Sequence, residues 1–222
     1  SSSRRRSHAV RSIDANNTAY FAFRISDTKI SERVRLLDEA ALNVSLDFAP
    51  FLVDPNKLIQ PLLAIHLEDD EVSRAADIYD QQLQRSVCFY LPRRLPYTEF
   101  KVVKGAMLAM SQTDMWISIV KDTILKSLNR HGFISLSDLD TNMVLITNPR
   151  GTKLTVDEID IRQLKLTASA YIDRFYICRG SPPTPDFAEP CDVAVEFPVI
   201  KCPHNALLNA SLEDFLRQLT VS

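Results

Sequence analysis

Apolar positions recur every three to four residues in some stretches of this chain and alternate or run together in others, and the two patterns predict different elements. Residues 19–25, AYFAFRI, alternate and are rich in aromatics, which predicts a short strand. An amphipathic helix is expected next, with Ile30, Val34, Leu37 and Ala41 on one face and Asp27 or Thr28 as its cap. VDPNKLIQPLLAIHL starts with Asp54 as a cap and Pro55 at the first helical position, so a short helix is expected, interrupted at Pro61. After the acidic run Glu68–Glu71, a further helix is predicted with Val72, Ala75, Ala76, Tyr79 and Leu83 on one face.

RSVCFYL, residues 85–91, has the composition of a strand. The strongest helical pattern covers TDMWISIVKDTILKSLNRHGF. There Trp116, Ile117, Val120, Ile124 and Leu128 form a stripe, Ser111 with Asp114 suggests a capping box, and Gly132 marks the stop. NMVLITNPRGTKLTV, residues 142–156, reads as a hairpin turning at Asn148–Gly151. Thr155 and Glu158 then suggest a capped helix running to about Tyr176, although EIDIRQLKL alternates enough to leave a strand open in its first half. RGSPPTPDFAEP is a proline-rich loop, VAVEFPV a strand, and SLEDFLRQL a closing helix capped by Ser211. The expected fold class is α+β, helix-dominant, with short strands and one hairpin near 142–156. Residues 1–16 form a basic arm and 17–222 a single body, subdivided near 92–98.

Composition narrows the function classes. Of the 222 residues, 45% are hydrophobic and 24% charged, ordinary values for a globular chain. With a net charge of −2 the whole molecule is not a polyanion binder, so any nucleic-acid affinity has to come from a local patch. Only four glycines are present, which leaves no clustered-glycine phosphate loop and no dinucleotide fingerprint. No apolar run approaches the roughly 18 residues that span a bilayer. The basic N-terminal residues are not followed by the apolar stretch of a secretory signal. The four cysteines lack the dense spacing of a disulfide scaffold, so a reducing, intracellular setting, cytoplasmic or nuclear and not secreted, is expected.

Candidate chemistry is sparse. Cys178, Cys191, Cys202 and His204 offer three thiolates and an imidazole, the donors of a closed tetrahedral zinc site. The absence of a C-x2-C pair counts against zinc, and the plainer account, a buried cysteine at 178 on the helix with the others in loops or strands, is preferred. Apart from that zinc alternative no cofactor is expected. Of the histidines, His66 follows an apolar run, and His131 sits where a cation favours a helix C-terminus. Carboxylate groups at Asp138/Asp140 and Asp157/Glu158/Asp160 suit divalent cations or acid–base work, but both fall where helices are expected to begin, and capping accounts for them better. A winged-helix pattern can be drawn through residues 113–156, with Arg150 and Lys153 at the hairpin tip. Its SLSDLDTN segment is too acidic to read a major groove.

The concentrated positive charge lies in the arm, where Arg4, Arg5, Arg6 and Arg11 occur with no acidic residue before Asp14. Such a cluster supplies salt-sensitive, sequence-independent phosphate contact, or it is a solvated terminus. No motif names a family. The expectation is a non-enzymatic structural or assembly protein: a viral coat, nucleocapsid or matrix-type subunit, or a subunit of a cellular complex. Its partners would be other protein subunits, with nucleic acid engaged through residues 1–13 and no membrane span. Phe51, Tyr97, Trp116 and Phe187 are candidate interface anchors. The alternative is an enzyme or zinc-stabilised module built on the C-terminal cysteines and His204.

Overall fold

The computed structural model describes residues 17–67, 71–90, 94–111, 115–136 and 142–199. Among them are eight strands: β1 (Thr18–Ile25), β2 (Ile59–His66), β3 (Arg94–Val103), β4 (Ala106–Ser111), β5 (Ile134–Leu136), β6 (Met143–Ile146), β7 (Ala168–Arg179) and β8 (Asp192–Pro198). They join in one sheet of order β5-β2-β1-β7-β3-β4-β6, with β8 paired to β7. The pairings are antiparallel. Strand β7 is common to both halves. Its residues 168–171 pair with β3, whereas residues 172–179 pair with β1 and residues 174–179 with β8.

Among the described residues the α-helices are α1 (Thr28–Val44), α2 (Val72–Ile78), α3 (Gln84–Tyr90) and α4 (Met115–Arg130), and a 3-10 helix, Leu46–Phe51, follows α1. α1 and α2 lie against β7, and α4 lies against β2. α1 starts where its sequence predicts: the Asp27 carboxylate accepts from the N–H of Lys29 at 2.8 Å and of Ile30 at 3.3 Å. Ile30, Val34, Leu37 and Ala41 face the core from α1, and Val120, Ile124 and Leu128 from α4. Phe21, Phe23 and Phe175 meet them from the sheet, and Tyr79 stacks on Phe175 at 4.4 Å. Tyr79 opens a five-residue π-helical turn, Tyr79–Leu83, that joins α2 to α3. Tyr97 and Phe51 belong to this same core rather than to an interface.

The helix-dominant expectation is corrected: the molecule is built on a mostly antiparallel eight-stranded sheet. Three local misreadings account for the difference. The segment after Asp54 is a turn followed by β2, and seven of the eight residues of β2 are buried. A strand covered on both faces loses the alternation that marks a half-exposed one. Pro61 is accommodated because Phe21 pairs with Leu63 and Ala22 with Pro61, leaving Leu62 as the extra residue of a bulge. Residues 85–90 continue a helix, burying Val87 and Cys88. The helix expected from Thr155 to Tyr176 is only a 3-10 turn, Val156–Glu158, and the chain enters β7 ten residues later.

The predicted 142–156 hairpin is not formed either. β6 pairs with β4, and β5 pairs with β2, so the winged-helix pattern does not hold. The hairpin that does form, β3–β4, turns at Lys104 (φ 50°) and Gly105 (φ 76°), both left-handed, as a two-residue turn requires. The closing helix expected at Ser211 lies outside the described residues. Among the described residues no helix is long and apolar enough to cross a membrane.

Candidate active site on the open face of the sheet

Strand alternation sorts the side chains of β1 between two environments. Ala19, Phe21, Phe23 and Ile25 enter the helix-covered core, whereas Tyr20 and Ala22 pack in a separate cluster with Ile59, Ala64 and Cys178 on the other face. Thr18 and His66 follow Tyr20 and Ala64 on that second face. They are direct cross-strand partners at the β1–β2 end, where opposed Cβ atoms stand about 4.5–5.5 Å apart. In the second half of the sheet, Ala106, Leu108 and Val144 form the corresponding small cluster. Among the described residues no helix covers these two clusters. The face they form is the open one.

Two cavities lie on it. One, of about 470 Å³, is lined by Thr18, Tyr20, Leu67, Arg179, Phe187 and Asp192, among others. The other, of about 210 Å³, is bounded by Asp54, Lys57 and Ile59 on one side and by Val144 on the other, so it reaches both halves of the sheet. The Tyr20 hydroxyl is pushed up to about 12, by burial first and by the Asp192 carboxylate second. It is therefore a hydrogen-bond donor at any pH the protein meets. Arg24 is bound to Asp173, through Nη2 to Oδ2 at 2.5 Å and Nε to Oδ1 at 3.4 Å. That bond, together with the Asp173 charge, raises its pKa, and Tyr176 adds to the effect.

The other candidate residues are accounted for locally. His131 donates from Nδ1 to the Ser127 carbonyl at 2.8 Å, at the end of α4. Asp160 is held by both arms of Arg162, each at 2.9 Å, and that hydrogen bonding lowers its pKa to about 2. Asp157 and Glu158 lie exposed in the 3-10 turn. Asp138 and Asp140, Arg4, Arg5, Arg6 and Arg11, and Cys202 and His204 lie outside the described residues. Cys178 and Cys191 are joined to each other in a disulfide, their Cα atoms 6.1 Å apart. Antiparallel β7 and β8 bring these two sulfurs together, so Cys178 and Cys191 are bonded to each other, and Cys178 lies on β7 rather than on the expected helix. Among the described residues no group of three or more His, Cys, Asp or Glu side chains is placed to hold a metal ion.

The pairing of His66 with Thr18 was not visible in the sequence, where they stand 48 positions apart in effect and in unrelated patterns. The usable signal was the alternation of AYFAFRI, which already divides Tyr20 and Ala22 from the phenylalanines.

No family model and no curated protein sequence matches this chain. Solved structures do. Escherichia coli LigT complexed with 3'-AMP aligns with a TM-score of 0.50 at 10% identity, covering 82% of this chain and 97% of LigT. A structure described as a phosphoesterase aligns at 0.48 and 11% identity, covering 82% of this chain and 98% of its own. Apo E. coli LigT aligns at 0.47 and 10%, covering 83% and 98%. At such identities the likeness is one of fold. It overturns the expectation of a non-enzymatic structural, capsid or other viral assembly subunit, which rested on a helix-dominant body without catalytic motifs: the body instead has a LigT-like phosphoesterase fold.

Proposed function

We propose that the chain is a phosphoesterase that takes a nucleotide-type phosphate ester on the open face of its sheet. The observation that carries this reading is the pairing of His66 with Thr18 beside a cavity lined by Tyr20 and Arg179, within a fold shared with LigT. A cavity of about 470 Å³ lies within the usual range for small-molecule sites. The LigT structure of this fold was solved with 3'-AMP, which makes that nucleotide the first ligand to try.

Displacement at phosphorus needs a group to take the proton of the attacking oxygen, a donor for the leaving oxygen, and positive charge for the equatorial oxygens. His66 is assigned the first role. The Tyr20 hydroxyl, kept protonated by burial and by Asp192, is assigned the second. Arg179 is assigned the third. As the bond from a water oxygen to phosphorus forms and the ester bond breaks, His66 receives the water proton and Tyr20 supplies one to the departing oxygen. The carboxylates of Glu189, within the proline-rich segment that crosses the open face, and of Asp192, just after it, oppose an anion at this cavity.

The Arg4, Arg5, Arg6 and Arg11 cluster fits this reading as a source of salt-dependent attraction for a polyanionic substrate. An intracellular setting remains part of the proposal, and there a disulfide is usually transient or redox-sensing. The reading is tested by incubating the reduced full chain with 3'-AMP and with a chromogenic phosphodiester and following the released phosphate or phenolate. Turnover that is lost in His66→Asn supports it. Absence of both binding and turnover at millimolar ligand overturns it.

A further inference from the structure

Residues 181–190 cross the open face as a strap tied to both halves of the sheet. On the β1–β2–β7 side it begins where the Gly180 N–H donates to the Thr18 carbonyl at 2.8 Å, and it ends at Cys191, bonded to Cys178 on β7. On the β3–β4–β6 side the Asn148 N–H donates to the Pro185 carbonyl at 2.7 Å, and Arg150 pairs with Asp186 at 2.9 Å. Ala188 packs on the Ala106, Leu108 and Val144 cluster, and Cys191 packs on the cluster that contains Tyr20 and Ala64. Glu189 and Pro190 line both cavities, so the strap is the wall between them.

Resting on the phosphoesterase reading, we infer that this strap is a redox-released cover over the site. With Cys178 and Cys191 bonded, it divides the open face into two small chambers and places Glu189 where a phosphate ester would bring its own negative charge. With the bond open, the two chambers merge into one groove.

Among the side-chain ties of the strap the disulfide is the strong one, while the β7–β8 pairing holds the two ends of the segment in either redox state. Arg150 and Asp186 keep 70% and 49% of their side-chain surface in solvent, and exposed pairs of this kind contribute little. Four of the strap's ten residues are prolines, which have no N–H to fix the segment to the sheet. Cys178 is fully buried and Cys191 half-buried, so a thiolate from outside attacks the Cys191 sulfur. Cys178 leaves as a thiolate and takes a proton. The second thiol of a dithiol reductant then releases Cys191, so two electrons and two protons enter the protein and the reductant closes to its own disulfide.

The test compares the oxidised full chain, the same chain in dithiothreitol, Cys191→Ser, and Arg150→Ala, which loosens the other end. Hydrogen exchange of the 181–190 segment reports on the strap, and calorimetric titration with 3'-AMP reports on the site. Ligand affinity scales with the open fraction, so both exchange and affinity should rise at least about tenfold on reduction. Cys191→Ser should match the reduced protein without reductant and gain nothing from it, and oxidised Arg150→Ala should stay close to the oxidised wild type. Exchange that does not change on reduction overturns the inference. So does faster exchange with unchanged 3'-AMP affinity, an outcome that leaves the phosphoesterase reading standing. An open strap with no 3'-AMP binding in any form overturns both.

Discussion

Tyr97 on β3 donates its hydroxyl to Oε1 of Gln60 on β2 at 2.9 Å, joining two strands that are not neighbours in the sheet. Both residues are buried, and burial raises the Tyr97 pKa far enough that the phenol stays a donor. Tyr97→Phe removes one buried hydrogen bond and should cost about 1 kcal/mol in denaturant unfolding. Tyr97→Ala also leaves a cavity and should cost about 3–5 kcal/mol. Equal losses for the two variants would mean that the hydroxyl contributes nothing beyond the ring.

Gly105 is the second residue of the β3–β4 turn, and a Cβ there would stand 2.6 Å from Nδ2 of Asn148. That amide donates to the Lys104 carbonyl at 3.1 Å, so it is not free to move aside without loss. Gly105→Ala should therefore destabilise by about 1–2 kcal/mol from the left-handed backbone alone, with the displaced Asn148 adding to it. A chemical-denaturation midpoint unchanged from wild type would contradict this account of the turn.

Asp38, on α1, has a buried Oδ1 with no hydrogen-bond partner, and its pKa is pushed up to about 7, by burial first and by Asp54 second. The unfolded carboxyl titrates near about 3.9, so the folded state holds the proton more tightly. Stability from this group is present below about pH 4 and is lost as pH rises through 7. Asp38→Asn removes the penalty and should raise the melting temperature at pH 8 by a few degrees, about 1 kcal/mol once solvent screening is allowed for. The gain should vanish near pH 4. A gain independent of pH would rule out titration of Asp38 as the cause.

His66 is only partly buried at the end of β2. His66→Asn should reduce phosphoester turnover by about 10²–10⁴-fold and leave the melting temperature within a degree or so of wild type. Turnover retained in the variant, with the fold intact, would remove His66 from the proposed chemistry.

Deleting residues 1–13 removes four arginines and should lower the salt slope of generic nucleic-acid binding by roughly three to four. The slope would be measured as log affinity against log salt on a random duplex. An unchanged slope would assign any such binding to the body.

Local pattern alone determined α1 with its Asp27 cap, the buried stripe of α4, and strands β1 and β8. α1 and α4 carry their own periodicity because one face meets the core and the other meets solvent. β1 shows it through the alternation of phenylalanines with smaller or polar-tipped residues, although both of its faces are buried. The Lys104–Gly105 turn, flanked by FKVV and AMLAM, carried a local signal in its glycine for the β3–β4 hairpin, a hairpin absent from the elements expected from pattern. Only the tertiary structure decided β2 and β7. β2 is covered on both faces and carries a proline that only a bulge makes tolerable, and β7 is flanked by β1 and β8 along its second half. The candidate site belongs to the same class. His66 meets Thr18, and Cys178 meets Cys191, through antiparallel register, and register is a property of paired strands that no single stretch of sequence contains.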